Sequence, residues 1–289
     1  MKLLYALRFL TIIPIPYRQD EDMRQVAGSS IYYPLAGLLI GLFLYASARL
    51  LLLLFPPQAA AALLIALWAA LTGGLHLDGL SDLADGMGGG RTAEQRLVIM
   101  KDSRVGAFGA ITLIIFLLVK WSMTAAIFSP GTFLAANTVS ASGLSLVEKF
   151  PTAPLKVIIF APVCARLTAL LGIKLYSPAR PDGMGAFFKK HITWKEPVIG
   201  ILFTLITGWM LFALPGVVGA ATMCGVVLLS ALPASRGLGG LTGDVYGALI
   251  ERAELLFLLL SVAILKLYGP ELFESPEIIQ KLLVQSFEF

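Results

Sequence analysis

Seven stretches of this sequence are apolar over roughly the 20 residues that a helix needs to cross a bilayer. They cover residues 31–54, 57–76, 106–127, 155–175, 197–214, 216–233 and 254–268, the last being short and extending backward toward Ala248. No other feature limits the fold as strongly. Only 14% of residues are charged, against roughly 25% in soluble domains, so the chain lacks the polar side chains to cover a water-facing globule. The expected fold is all-α: a polytopic membrane helix bundle of about seven transmembrane helices, one integral membrane domain over residues 1–289, with the lipid bilayer as its surroundings. FPPQ at 55–58 and LPG at 214–216 read as tight turns, because proline ends one helix and the next begins. The Ser/Thr-rich segment 130–154 reads as a loop or a re-entrant piece, and the sequence leaves its status open.

The opening MKLLYALRFLTIIPIP has a basic start and an apolar run, but Arg8, Pro14 and Pro16 interrupt it and no small-x-small cleavage site follows. It is expected to be an interfacial amphipathic segment with Lys2, Arg8 and Arg18 toward headgroups. Cys164 and Cys224 fall inside apolar runs and read as small buried hydrophobes. The net charge is only +4, spread among loops, which argues against nucleic acid as a partner. A cytoplasmic N-terminus would put nearly all the loop Lys and Arg on the inner side and only Lys149 and Lys281 outside, the positive-inside pattern. Motif loops 73–109, 176–196 and 234–252 would then share the cytoplasmic face.

The first of these loops holds Asp78, Asp82 and Asp85, spaced i, i+4, i+7. On a helix they fall within roughly 60° of one another. At about 5 Å and an effective dielectric near 20, each pair repels by about 3 kcal/mol. A divalent cation would neutralise them, and all-oxygen donors suit Mg²⁺ or Mn²⁺. The alternative is a set of helix-end carboxylates facing water. GMGGGR follows, and its glycines suggest close backbone approach to a ligand, with N–H groups suited to phosphate. Arg91, Arg96, Lys101 and Arg104 then place positive charge beside the carboxylates, where phosphate oxygens could bind.

A second acidic element, GLGGLTGDVYGALIE, carries Asp244 and Glu251 at i, i+7. It is expected to converge with the first on the same face, for two metals or for one metal and a substrate hydroxyl, although Asp244 could simply cap the following helix. His76 in GLHLDG is a candidate general base. Arg166, in the middle of an apolar run, could reach a substrate pyrophosphate or form a structural ion pair with one of the acids. Lys120 and Lys174 read as snorkelling residues near span ends, and His191 is given no role.

Taken together, GGLHLDGLSDLADGMGGGR and RLVIMKDSRVGAFG resemble the signature of the cobalamin synthase family, the adenosylcobinamide-GDP ribazoletransferases. RFLTIIPIP, YYPLAGLLIG, YSPARPDGMGAFF and GGLTGDVYGA are similar to further family stretches, so the resemblance covers most of the chain except 129–154 and the tail beyond about 270. The resemblance implies an Mg²⁺-dependent enzyme of a prokaryotic inner membrane, multi-pass, with its active site facing the cytoplasm. Its reaction would join adenosylcobinamide-GDP to α-ribazole, or to its 5′-phosphate, and release GMP, the ribazole 3′-hydroxyl attacking the phosphorus next to cobinamide. The residues then expected to act are Asp82 and Asp85 as metal core, Asp78 and Asp244 assisting, and Arg91, Lys101, Arg104 and Arg166 on the substrate phosphates. His76 and an aspartate such as Asp82 are the open choices for the base. Preference for a 5′-phosphate, lower-base specificity and a homo-oligomeric state are left open.

Two other readings share part of the pattern. DLADG resembles the start of the motif of CDP-alcohol phosphotransferases, membrane Mg²⁺ enzymes of lipid synthesis, but the second aspartate pair of that motif is absent here. A cation transporter would also use membrane aspartates, usually near the bilayer midplane in broken helices, whereas these cluster beside Arg and Gly at span ends.

Overall fold

The computed structural model describes residues 2–16, 22–129 and 152–268. The expectation for 130–154 falls mainly outside these residues, as do Arg18, Lys149 and Lys281. Among the described residues the chain is helical: α1 (Lys2–Leu10), α2 (Met23–Ala27), a 3₁₀ turn (Gly28–Tyr32), α3 (Tyr33–Leu54), α4 (Pro57–Leu71), α5 (Leu75–Gly89), α6 (Ala93–Ile99), α7 (Ala107–Phe128), α8 (Thr152–Leu175), α9 (Met184–His191), α10 (Lys195–Leu229), α11 (Leu232–Leu238) and α12 (Gly243–Tyr268). The fold is the expected all-α membrane bundle. Among the described residues, four helical stretches are long and apolar enough to cross a membrane, or five when the bent pair α4–α5 counts as one crossing. The count of seven is therefore not carried over. One reason is α12, which bears Asp244, Glu251, Arg252, Glu254 and Lys266 along its length.

The almost wholly enclosed α8 is the hub. In lipid, helices associate through close packing of small residues rather than through hydrophobic exclusion from water, and α3 meets α8 in this way. A Cβ at Gly37 would lie 2.9 Å from Val163 Cα, and one at Gly41 would lie 2.7 Å from Ile159 Cα. Gly200 of α10 rests on Leu167 and Leu170 of α8. Further along α10, Thr168 of α8 touches Met223 and Cys224. Eight residues of straight helix would span about 12 Å, yet a Cβ on Gly208 would meet the Gly216 carbonyl carbon at 3.1 Å. The element thus folds back on itself at Ala213, whose φ of 51° and ψ of −138° break the helix next to Pro215. The expected LPG turn is present, and the limbs lie side by side against α8. Cys164 and Cys224 are buried free thiols, as expected.

Inside the bundle, four charged side chains form one network. Lys120 (α7) donates to Glu251 and Glu254 (α12), 2.8 Å each, and Arg166 (α8) donates to Glu254. All four are at most 3% exposed and sum to zero formal charge. The Lys120 ammonium also sits 4.3 Å from the Trp68 ring of α4. This corrects three sequence expectations. Lys120 does not snorkel, since two acids hold it inside. Glu251 lies in this network instead of in a second acidic patch. Arg166 forms the ion pair and is sealed from any substrate phosphate.

Candidate active site

The site begins where α4 ends. Gly73 and Gly74 both adopt left-handed backbone, φ 64° and 68°, which L side chains rarely accept. Together they turn the chain by 88°, so that α5 sets off across the end of the bundle. Asp78, Asp82 and Asp85 all lie in α5, which makes the one-face reading of their spacing correct. The chain crosses α12 at two glycines. A Cβ on Gly79 would lie 2.6 Å from the Asp244 carbonyl oxygen, and one on Gly247 would lie 3.3 Å from His76 Cα. This approach puts Asp244 next to the α5 acids. Asp82 feels the charges of Asp78, Asp244 and Asp85, while Asp244 feels those of Asp78 and Arg180. The capping bond at the start of α12 comes from Thr242, whose Oγ1 accepts from the Val245 N–H and donates to Asp244. Asp244 is thereby left half exposed, as is Asp82, with Asp78 more open still.

Asp85 has a different setting. It is buried, and its two oxygens accept the Gly106 and Gly109 N–H groups at 2.8 Å each. These donors belong to the first turn of α7, where a carboxylate is favoured by orphan N–H groups and by the helix dipole. Side chains at Gly106 and Gly109 would collide with the carboxylate, whose Cγ lies 2.8 and 3.0 Å from their Cβ positions. Asp85 straps α5 to α7, and both of its oxygens are engaged in doing so. Asparagine keeps only one acceptor oxygen, so Asp85→Asn is expected to lose about 1–3 kcal/mol of local stability. Amide exchange at Gly106 and Gly109 would rise accordingly; unchanged protection would refute the strap.

The glycine run after Asp85 also departs from its sequence reading. Gly86, Gly88 and Gly89 lie inside α5, where Gly86 receives Met100 and Gly88 receives the Phe108 ring. Their smallness admits α6 and α7, with no phosphate cradle formed. The basic segment follows. Arg91 and Lys101 are exposed, Arg91 lining an open groove with Glu94, Gln95 and Val98. Arg104 is exposed and paired with Asp102 at 2.6 Å; its guanidinium, and then its backbone N–H, hold the Asp102 carboxyl down at about 2. Binding a phosphate would require Arg104 to exchange this partner.

All three motif segments meet at this end of the bundle. Arg96 donates to Gly237 O at 2.9 Å, Arg180 donates to Leu97 O at 3.0 Å, and across a short parallel bridge the Ala179 N–H donates to Leu241 O while the Leu241 N–H donates to Ser177 O. Gly240, at φ 150°, lets that bridge close. Arg180, which is not among the phosphate candidates drawn from the sequence, brings its charge close to Asp244. Its place in PARPDG, held between two prolines, was the available signal. A cavity of about 210 Å³ opens beside Asp78 and Asp244, and His76, 3% exposed, lines it with its Nδ1 unpartnered among the described residues. His191, by contrast, stacks on Phe187 and bonds its carbonyl oxygen, away from this chemistry.

Among the described residues no three His, Cys, Asp or Glu side chains close on one point as a finished metal cage. Mg²⁺ does not require one, since it commonly takes one or two carboxylates and fills its octahedron with water and substrate phosphates. The hard, partly exposed oxygens of Asp78, Asp82 and Asp244, crowded enough to feel one another's charge, fit that donor set.

Fold and site define a polytopic membrane protein with an acidic site at one end of its helix bundle, flanked by exposed basic residues. The chain belongs to the cobalamin-5-phosphate synthase family, whose model matches residues 2–262. It is 40% identical over 261 residues to an adenosylcobinamide-GDP ribazoletransferase of Desulfitobacterium hafniense, covering 89% of this chain and 95% of that one. Proteins of the same name from Geotalea daltonii and Brevibacillus brevis are 37% and 38% identical, each aligned over 90% of this chain and 96% of its own. No solved structure matches.

Proposed function

We propose that this protein transfers the adenosylcobinamide-phosphate group of adenosylcobinamide-GDP to α-ribazole or its 5′-phosphate, releasing GMP, and that it does so with Mg²⁺ at the cytoplasmic side of a prokaryotic inner membrane. The observation that carries this reading is the meeting of Asp78 and Asp82 from α5 with Asp244 from α12, close to the Arg180 charge. Family membership supports the substrates, and the spread of basic residues supports the orientation.

Asp78, Asp82 and Asp244 would hold Mg²⁺, which when bound neutralises phosphate charge in the transition state. The ribazole 3′-hydroxyl forms a bond to the phosphorus attached to cobinamide as the bond from that phosphorus to the GMP oxygen breaks. The hydroxyl proton passes to His76, which lines the same cavity as Asp78 and Asp244, or to Asp82 beside them. GMP leaves with the electron pair of the broken bond; Arg180, whose charge reaches Asp244, steadies its phosphate, while Arg91, Lys101 and Arg104 draw the anionic donor in from the far end of α5.

The test uses purified protein in nanodiscs with adenosylcobinamide-GDP and α-ribazole. GMP release is expected with Mg²⁺, is expected to fall to background with excess EDTA, and should return when Mg²⁺ is added back. Full activity in EDTA would remove the metal from the proposal. A folded protein that releases no GMP with either acceptor form would remove the reaction.

A further inference from the structure

The proposed chemistry uses only one wall of the cavity beside Asp78 and Asp244. The opposite walls come from α1, α3, α8, α9 and α12 and are largely aromatic, with Phe9, Tyr33, Phe188 and Tyr246 prominent. Phe9 lies nearly parallel to Tyr33, with centroids 6.0 Å apart, and 5.4 Å from Phe188. Two of these rings carry an unexplained group. Tyr33, 1% exposed, and Tyr246, 7% exposed, each bury a hydroxyl with no hydrogen-bond partner among the described residues. A buried hydroxyl ordinarily finds a partner, so a cavity whose walls include two such tyrosines and a histidine with an unpartnered ring nitrogen suits a ligand that supplies the partners as the walls adjust to it.

Size and charge narrow the choice. Clefts for drug-sized ligands run to about 300–1,000 Å³, so 210 Å³ accepts one flat ring system and excludes a corrin macrocycle. Among the described residues that line it none is Lys or Arg, whereas Asp78 and Asp244 are both present. A phosphate is therefore poorly matched here. Guanine is poorly matched too, because it would bring its diphosphate beside the two carboxylates. The basic segment lies at the other end of α5, 13 residues and about 20 Å of helix rise from His76, with the carboxylates strung between.

We infer that this cavity is the acceptor subsite, holding the benzimidazole base of α-ribazole. The base stacks against Phe9, Tyr33 and Phe188, and a tyrosine hydroxyl donates to the ring nitrogen that carries no sugar. The ribose is thereby turned toward His76, Asp78 and Asp244, while the donor's phosphates approach from the basic side. This rests on the reaction proposed above and adds where each substrate sits.

Equilibrium binding of α-ribazole to the full-length protein in nanodiscs tests the assignment, with the KM of acceptor and donor as a second readout. The comparison is wild type against Tyr33→Phe and Tyr246→Phe, which remove a hydroxyl and keep the ring. Each is expected to weaken α-ribazole binding and raise its KM three- to tenfold, the size of one lost hydrogen bond, with a much smaller change in donor KM. Neither should lower the thermal unfolding midpoint, because neither hydroxyl has a partner among the described residues. GMP should not compete with α-ribazole. Unchanged acceptor affinity in both variants, a larger effect on donor KM, or displacement by GMP would overturn the assignment. Wild type that releases no GMP in the presence of α-ribazole would instead sink the reaction on which it rests.

Discussion

Asp82→Ala is expected to lower the turnover rate by on the order of 10³, the scale of losing one preorganised electrostatic group at a reacting centre, while leaving the protein folded. Asp82 has three carboxylate neighbours in reach and, among the described residues, makes no hydrogen bond that organises the bundle. Its removal relieves repulsion, so stability should hold or rise slightly. That opposition of effects separates a functional carboxylate from a structural one. GMP-release kinetics together with a thermal melt would check it. A variant that turns over near the wild-type rate would take Asp82 out of the metal site; one that melts early would make it structural.

The second large effect lies away from the site. Glu254 contacts both buried cations, so Glu254→Ala leaves Lys120 and Arg166 facing Glu251 alone, one uncompensated positive charge inside the bundle. Removing one partner of a buried ion pair typically costs about 3–5 kcal/mol, a large part of the stability of an ordinary domain. The variant is expected to be recovered in low yield and to unfold at a clearly lower temperature. Pairing it with Arg166→Met returns the network to zero charge and should restore much of the loss. If Glu254→Ala melts with wild type, or if the double variant is no better than the single, charge balance is not what holds these helices.

These two residues also show what the sequence could and could not say. The spacing of Asp78, Asp82 and Asp85 was readable because helical periodicity acts locally, and the turn at 214–216 was readable because proline and glycine act through their own backbones. The partners of Glu254 and Glu251 were not readable. Lys120 lies more than 130 positions away, and only the packing of α7 against α12 decides that these charges meet. Glycine was ambiguous in the same way. Gly79, Gly86 and Gly88 carry the same side chain whether they cradle a phosphate or admit a neighbouring helix, and the tertiary fold chose the second. Asp85 shares α5 with the other two acids, as its spacing implied, but the N–H groups that hold it come from a helix start 21 and 24 residues on.

The central claim is that the acidic end of the bundle joins two substrates and does not merely cleave one. Counting GMP against ribazole-linked corrinoid, with and without α-ribazole, tests this most directly. The account predicts one corrinoid product, identified by mass, for each GMP, and no GMP above background when the acceptor is left out. GMP released in equal amounts without acceptor, or with no linked corrinoid formed, would contradict it and make this a hydrolytic site.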